Sequence, residues 1–407
     1  MKRRDFFLAF RVPSYRLLWV SMFASANGFL PFRIGQGWLL LLLTDSPFMV
    51  GLAAGISGVS TMVASPFAGV LADRLDRRFT LMFAQFTMAA AIMALGIITV
   101  TDHVEVWHIM VISVVQGASR SLEGPARSTL MYDLVGREAL VNAMAGRSMA
   151  IQSSSIVGPL AAGFIMAALG PGPLFIVISI VLFFGTLVLL PIQTQSQRPN
   201  TVNVSIWRDL KEGISFTFHD RLLRSVMWTV LITESLGFSS TAMLPIVTRD
   251  VLNAGPVVLG LLATFRGSGG MIGAFIVAGL GGIRQKGRLF TFGAFSFGAL
   301  LVSFALSTNL SVSLALIVFV GAFGAIYDTL AGTLLQTLAP AEMRGRVMGF
   351  HSFILSGVSI GALGMGAVAG WLGVRWAIGI GGGIVSANAF GRTPHAKDIG
   401  ERAASFS

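Results

Sequence analysis

The stretch SMAIQSSSIVGPLAAGFIMAALGPGPLFIVISIVLFFGTLVLLPIQTQSQ, residues 148–197, has no charged side chain in 50 consecutive positions. A helix needs about 20 mainly apolar residues to cross the hydrocarbon core of a bilayer, so this stretch is long enough for two crossings. Pro171, Gly172 and Pro173 lie near its middle, which is typical of a tight turn. The stretch therefore predicts two membrane-spanning helices joined by a short turn.

The whole chain has the composition of a membrane protein. Its 407 residues are 54% hydrophobic and 12% charged, with a mean hydropathy of +0.78, whereas soluble domains carry about 25% charged residues. A soluble fold of this composition would expose large apolar patches. A transmembrane β-barrel would alternate polar and apolar residues over segments of about ten, and the apolar runs here are too long and uniform for that. The predicted fold class is therefore all-α, a polytopic membrane protein.

The apolar runs predict twelve transmembrane helices in two groups of six, separated by the longest polar interruption, Gln193–Arg224. The predicted spans lie near residues 17–43, 48–72, 79–101, 106–127, 140–169, 173–192, 222–248, 256–282, 289–307, 311–337, 346–371 and 374–390. The predicted organisation is an N-terminal half at 1–192, a cytoplasmic central loop at 193–221, a C-terminal half at 222–390 and a polar tail at 391–407.

The basic residues predict the orientation of these spans. If the N-terminus is cytoplasmic, 24 of the 29 Lys and Arg residues lie in cytoplasmic segments, as the positive-inside rule requires. Arg249 and Arg375 fall outside, and Arg33, Arg120 and Arg266 lie within spans. Both termini are then cytoplasmic, and the first apolar run is an uncleaved span because no small-residue cleavage site follows it. The net charge of +11 is thus a topology signal, and no nucleic-acid partner is expected.

The two groups of spans share residues at a nearly constant offset. Ser128-Thr-Leu-Met and Gly332-Thr-Leu-Leu are 204 positions apart, and Glu138 and Glu342 share that offset. This repetition indicates a duplicated six-helix unit. Parallel repeats of this kind occur in transporters that bind their substrate near the membrane midplane, between the halves.

A loop signature follows the second span, and it reads Gly69-Val-Leu-Ala-Asp73-Arg74-Leu-Asp76-Arg77-Arg78. It resembles the major facilitator signature G-x-L-A-D-R-x-G-R-K. The resemblance implies a latch that closes the cytoplasmic side, formed by Gly69, Asp73, Arg74, Arg77 and Arg78. Asp76 stands where the family has Gly, and a tight turn with Asp in the left-handed conformation is expected there. The second copy, Gly279–Arg288, lacks the acidic residue and is expected to latch weakly.

The fifth predicted span contains Ser154-Ser-Ile-Val-Gly158-Pro159-Leu-Ala-Ala162-Gly163. It resembles the antiporter signature G-x-x-x-G-P-x-x-G-G, which accompanies exporters in the major facilitator superfamily, and the alternative is ordinary packing of small residues. Together with residues 117–163 and the opening Phe10–Trp19, it resembles the drug and siderophore exporter branch, which includes enterobactin exporters and macrolide efflux proteins. The resemblance implies a secondary transporter that works by alternating access.

Ionisable residues within spans are costly, at least about 2.5–3.5 kcal/mol each, and therefore indicate function or pairing. In this family the first, fourth, seventh and tenth spans line the cavity. The carboxylates that could carry a proton are Glu234, Asp328 and Glu123. The cavity or substrate candidates are Asn27, Arg33, Gln36, Gln116, Arg120 and Arg266. The alternative for Arg120 is a structural pair with Glu123, three residues later on the same helix face.

The chain lacks the loop G-x-x-x-x-G-K-[ST] that binds nucleotide phosphates, so an ion or substrate gradient is the expected energy source. We predict a proton-coupled antiporter that exports small amphipathic organic compounds, acts as a monomer and uses no cofactor or metal. Two alternatives stay open: an importer or facilitator of a polar nutrient, and a membrane sensor or enzyme. The five His residues are scattered and no nucleophile motif is present, so an enzyme is not expected.

Overall fold

The computed structural model of the chain describes residues 8–193, 206–279, 285–356 and 358–393, without the side chains of residues 66, 69–74, 206–210, 341 and 356. Within these residues the structure is helical and has no β-strand, so the all-α fold class is confirmed. The helices are α1 (Pro13–Thr44), α2 (Pro47–Arg74), α3 (Arg77–Val100), α4 (Val106–Leu169), α5 (Pro171–Leu187), α6 (Ile206–His219), α7 (Arg221–Ile232), α8 (Leu244–Ile246), α9 (Pro256–Gly279), α10 (Lys286–Leu306), α11 (Leu310–Leu338), α12 (Ala341–Ser356), α13 (Val358–Leu372) and α14 (Val374–Gly391).

Helices α7 and α8 belong to one continuous helical segment, Arg221–Val251. A π turn (Thr233–Gly237) and a 3-10 turn (Phe238–Met243) separate them, and a second π turn (Val247–Val251) follows α8. The widened π turns matter for function because such turns occur frequently at functional sites.

In the described part of the chain, eight helical segments are long and apolar enough to cross a membrane. One of them is α4, whose 64 residues would extend about 96 Å, about three times the 30 Å of a hydrocarbon core. Counting α4 as two spans and adding α1, α5 and α14 reproduces the twelve predicted segments. The chain is thus a multi-pass membrane protein, and the count of twelve itself stays a prediction.

The loop expected between the spans at 106–127 and 140–169 is instead helical. Only Gly136 departs from helical geometry, with φ 66° and ψ −177°. Leu130 and Met131, in the expected loop, are buried in the core of the first unit described below. Since buried apolar residues continue the helix through this region, a single glycine is enough to separate the two spans.

The chain forms two compact units. Unit 1 consists of residues 1–45, 59–202 and 255–264, and unit 2 of residues 46–58, 203–254 and 265–407. In unit 1, the hydroxyl of Tyr15 donates to the carbonyl of Ala143 at 2.8 Å, and the indole nitrogen of Trp19 donates to that of Gly146, also at 2.8 Å. These bonds hold the start of α1 against the second part of α4, and they give the opening of the chain a structural role.

Unit 2 is centred on α10, α11 and α14. Phe290 and Tyr327 stack with ring centroids 5.5 Å apart, and both belong to its buried core. Close helix contacts require glycine: a Cβ on Gly321 would lie 2.0 Å from the carbonyl oxygen of Arg266. Small residues at helix contacts are the usual means by which membrane helices pack closely.

The central segment, predicted as a loop at 193–221, contains helix α6. Glu212 on α6 pairs with Arg346 on α12 at 2.8 Å. A Cβ on Gly213 would lie 2.5 Å from the carbonyl oxygen of Arg346, so the two helices touch along their backbones. Helix α6 is therefore part of the packing of unit 2.

Candidate functional site

Glu123, the acidic residue of the fourth predicted span, lines a pocket of unit 1. Its ion-pair partner differs from the one considered in the sequence analysis. Glu123 pairs with Arg127, one turn further along α4, and it forms no ion pair with Arg120. The amide of Gln85, on α3, also donates to Glu123 at 3.4 Å and to the hydroxyl of Ser25 at 2.8 Å. The (i, i+4) spacing of Glu123 and Arg127 is the one that favours such pairs on helices.

Two arginines of unit 1 share one aromatic ring. The guanidinium carbon of Arg120 lies 3.8 Å from the centroid of the Phe29 ring, and that of Arg33 lies 5.8 Å from it. Neither arginine hydrogen-bonds or ion-pairs with a residue that the structure describes. Cation–π contacts attract each guanidinium to the ring, but they do not cancel the positive charge.

The amide nitrogen of Gln116 is buried and has no hydrogen-bond partner among the described residues. Gln116 is only 4% exposed and lines a pocket of about 40 Å³ together with Phe29, Arg120 and Glu123. A buried donor without an acceptor costs about 1–3 kcal/mol. The structure thus brings three sequence-predicted residues, Gln116, Arg120 and Glu123, to one pocket.

The polar residues Asn27 and Gln36 of α1 are both hydrogen-bonded to α4. Asn27 donates to the hydroxyl of Ser154 at 2.7 Å, which joins a cavity candidate to the antiporter motif. Gln36 donates to the hydroxyl of Ser113 at 2.8 Å and is buried. Gln36 therefore links α1 to α4 within the packing, apart from the arginines.

The antiporter motif provides close contacts inside unit 1. A Cβ on Gly158 would lie 3.0 Å from the ring of Pro31 on α1, next to Asn27. A Cβ on Gly163 would lie 2.8 Å from the carbonyl oxygen of Pro256, the first residue of α9. Pro159 is buried between these two glycines. The motif therefore presents a face of small residues to two different helices.

Glu234 is the most buried acidic side chain of the described residues, at 4% exposure. It lies in the π turn Thr233–Gly237 and forms no hydrogen bond or ion pair with a residue that the structure describes. The charges of Asp328 on α11 and Arg266 on α9 act on it. The structure thus brings together three predicted residues of unit 2 from three different helices.

The polar groups around Glu234 include residues that the sequence analysis did not select. The guanidinium of Arg266 contacts the hydroxyl of Thr241 and lies 5.6 Å from the Phe238 ring centroid. The hydroxyls of Thr233 and Tyr327 are buried and close enough to interact with each other, but neither forms a hydrogen bond of good geometry with a described residue. A buried carboxylate and two such hydroxyls in one cluster can exchange hydrogen bonds when a proton arrives.

The latch motif is described in part, because the side chains of Gly69, Asp73 and Arg74 lie outside the described residues. Arg77 pairs with Asp133, and Arg78 donates to the carbonyl of Leu190. The expected left-handed turn at Asp76 is wrong: its φ is −57° and its ψ is 124°. Asp76 is the N-cap of α3, and its carboxylate accepts from the backbone of Arg78 at 2.8 Å and of Phe79 at 3.1 Å.

Because Asp76 acts as a helix cap, its substitution by Asn is a matched control for the same substitution at Asp73 in the latch motif. We expect Asp73→Asn to reduce transport at least tenfold while the protein stays folded and inserted, because the change removes the charge that the signature places at a helix end. Asp76→Asn should stay within about twofold of wild type, because Asn caps helices as well as Asp does. Transport rates of both variants, normalised to the amount of inserted protein, check this; equal effects would reduce the motif to a basic turn.

A larger cleft lies elsewhere in unit 2 and contains none of the predicted site residues. Its volume is about 620 Å³, and its walls are mainly apolar. Arg375, on its rim, donates to the carbonyls of Ala305 and Leu306, both at 3.0 Å, and so caps the end of α10.

The sequence analysis did not select five of the site residues, Phe29, Gln85, Arg127, Thr233 and Tyr327. Of these, only Arg127 could have been identified from the sequence, by its spacing of four residues from Glu123.

Comparison with protein families places nearly the whole chain in one of them. Residues 6–394 match the family described as transmembrane secretion effector. Similar curated proteins include the staphyloferrin A transporter of Staphylococcus aureus (strain NCTC 8325 / PS 47), which is 22% identical over 84% of this chain and 86% of its own length. Macrolide efflux protein A of Streptococcus pyogenes is 23% identical over 77% and 78%. Enterobactin exporter EntS of Shigella flexneri is 24% identical over 88% and 85%.

Solved structures with the same fold include a D-xylose-proton symporter and a peptide transporter of the POT type. The symporter gives a TM-score of 0.71 at 13% identity and covers 95% of this chain and 99% of its own. The peptide transporter gives 0.75 at 13% identity, with 95% of each chain covered. At such identities the likeness shows the fold alone.

Proposed function

Because the chain belongs to the transmembrane secretion effector family of the major facilitator superfamily, we propose that it is a proton-coupled antiporter that exports small amphipathic organic compounds. Its relatives are membrane transporters, and the chain is a transporter and not an enzyme. Those relatives include proteins named for siderophore transport, macrolide efflux and enterobactin export. The exported class is proposed from these names together with the antiporter motif at Ser154, Gly158, Pro159 and Gly163.

The observation that supports proton coupling is Glu234. It is a buried carboxylate in a π turn, with 4% exposure and without a hydrogen bond or ion pair among the described residues. A carboxylate that is withdrawn from water is easier to protonate than an exposed one. Asp328 and Arg266 lie close enough for their charges to act on Glu234. The three groups together allow one proton to be held and released.

The proposed cycle uses this carboxylate in both orientations of the transporter. When the cavity opens to the outside, water reaches Glu234 and a proton binds to its carboxylate oxygen. When the cavity opens to the cytoplasm, arriving substrate and the cation Arg266 favour release of that proton. Asp328 and Glu123 are reserve carriers; Glu123 is already paired with Arg127, which makes it the weaker of the two.

Inverted membrane vesicles with an acidified lumen test the proposed function. The lumen corresponds to the cell exterior, so an exporter carries substrate inward and protons outward. We expect amphipathic organic compounds to dissipate the pH gradient in vesicles that contain the chain and not in vesicles from an empty-vector strain. A pH-sensitive dye reports the dissipation. If sugars or other polar nutrients dissipate the gradient and amphipathic compounds do not, the proposal of export is wrong.

We propose a location in the bacterial inner membrane, with both termini in the cytoplasm and a monomer as the working unit. The basic residues of the loops support this orientation. Reporter fusions after Gln195 and after Ser407 should both be active in the cytoplasm and inactive as periplasmic reporters. A periplasmic signal at either position would contradict the twelve-span arrangement. The size of the purified protein, measured by light scattering in detergent, checks the monomer.

A further inference from the structure

The pocket of unit 1 has more positive than negative charge. Its one acidic group, Glu123, is paired with Arg127 and its charge also acts on Arg120, against the positive charges of Arg127 and Arg147. Arg33 adds a further positive charge that acts on Arg120. Three arginines, Arg120, Arg127 and Arg147, thus act on a single carboxylate, and Arg33 lies beside Arg120 at the Phe29 ring. Unpaired charge inside a membrane protein is costly, so an additional anion would stabilise this arrangement.

The arrangement around Phe29 indicates where that anion binds. Two guanidiniums approach one ring, at 3.8 and 5.8 Å from its centroid, and they repel each other. Guanidinium groups bind planar carboxylates through parallel hydrogen bonds, and a carboxylate near both would offset the repulsion. Neither Arg33 nor Arg120 is hydrogen-bonded to a described residue, so their donors are available to such a ligand.

The buried amide of Gln116 is an independent observation at the same place. Its nitrogen lacks an acceptor among the described residues, and it lines the pocket beside Arg120. The pocket has a volume of about 40 Å³, which fits a carboxylate and not a whole organic molecule. Phe29, Met88, Ile92 and Leu182 line the same pocket, so the carboxylate binds next to apolar side chains and the rest of the molecule extends out of the pocket.

We infer that the compound transported is an organic anion, whose carboxylate binds to Arg33, Arg120 and Gln116 beside Phe29. This inference deepens the proposed function and rests on it for the identity of the ligand as transport substrate. It narrows amphipathic organic compounds to anions and excludes amphipathic cations as preferred substrates. The two guanidiniums at Phe29 repel a cation by the same charge that attracts a carboxylate.

Two probes that share the 1-naphthylmethyl group and differ in the charged group test the inference on the purified full-length chain. They are 1-naphthylacetate, an anion, and 1-naphthylmethylammonium, a cation, with binding measured by equilibrium dialysis. We expect the anion to bind at least about tenfold more tightly than the cation. Arg33→Gln with Arg120→Gln should weaken binding of the anion about thirtyfold or more and leave or improve binding of the cation. Gln116→Leu should weaken binding of the anion about fivefold.

Arg137→Gln is the matched control, because Arg137 is an exposed arginine on the same helix. It should bind both probes as wild type does. Thermal unfolding of each variant establishes that it is folded; if the double variant is not, Arg33→Gln alone should still weaken the anion at least about fivefold. Equal affinity of wild type for both probes overturns the inference, as does unchanged anion affinity in the arginine variants. If vesicles show no proton-coupled export but binding follows the arginines, the proposed function fails and the anion site stands.

Discussion

Glu234→Gln is expected to abolish proton-driven accumulation of substrate while leaving downhill exchange measurable. Gln has the shape of a protonated Glu and cannot release a proton, so each transport cycle loses its coupling. With one proton exchanged per substrate molecule and the membrane potential held at zero, a gradient of two pH units supports a concentration ratio of up to about 100, since each pH unit corresponds to about 1.36 kcal/mol. The variant should give a ratio of about 1. Proteoliposomes with an imposed pH gradient measure both quantities.

Glu342→Gln is the control for this experiment. Glu342 is an exposed carboxylate in the first turn of α12, so its neutralisation should leave the accumulation ratio unchanged. Downhill exchange by Glu234→Gln establishes that the variant is folded and binds substrate. If Glu234→Gln accumulates substrate to the wild-type ratio with the same pH dependence, Glu234 is not the carrier. Asp328 is then the next carboxylate to neutralise.

Gly361→Val is expected to reduce transport at least tenfold by displacing the turn that holds Glu234. A Cβ on Gly361 would lie 1.9 Å from the carbonyl oxygen of Ser235 and 2.7 Å from its carbonyl carbon. Since both neighbours are backbone atoms, α13 or the π turn has to move. Overpacking of this kind typically costs about 1–3 kcal/mol, and Ser235 is bonded directly to Glu234. Transport rates and thermal unfolding in detergent measure the two effects.

Gly364→Val, on the same helix, is the control that distinguishes the clash with Ser235 from a change in helix propensity. A Cβ on Gly364 meets no atom within 4 Å, so the same substitution should leave transport near wild type. Both changes place a β-branched residue in α13 and alter its intrinsic helix propensity equally. If Gly364→Val is as damaging as Gly361→Val, the cause is α13 itself and the contact with Ser235 has no special importance.

The sequence predicted the helices well, because apolar length and charge distribution are local properties. The third span was predicted to end at residue 101, and helix α3 ends at Val100, one residue earlier. The helical continuation of α4 before residue 140, where a loop was predicted, was missed because Leu130 and Met131 are buried by tertiary packing, which the length of an apolar run does not show. The helix in the central segment was missed for a related reason: it packs on α12, a helix more than 120 positions away.

The site was predictable as a set of residues and not as a set of contacts. Glu234, Asp328 and Arg266 were identified because charges in apolar spans are rare. The π turn around Glu234 faces Gly361, which is 126 positions away in the chain, so no local pattern shows it. The sequence offered Arg120, three residues away, as an alternative partner for Glu123, whereas in the structure Glu123 pairs with Arg127, four residues away. Both spacings share a helix face, and only the side-chain geometry distinguishes them.

Helix α6 determines where the chain can be divided in a split-gene experiment. Its ion pair between Glu212 and Arg346 and the close approach at Gly213 tie it to the C-terminal fragment. A break placed between Gln193 and Ile206 keeps these contacts within one polypeptide. A break after His219 would place α6 in the N-terminal fragment. The C-terminal fragment would then lack the helix that packs against α12. Co-expressed fragments, inserted tags and engineered fusion points therefore belong upstream of Ile206.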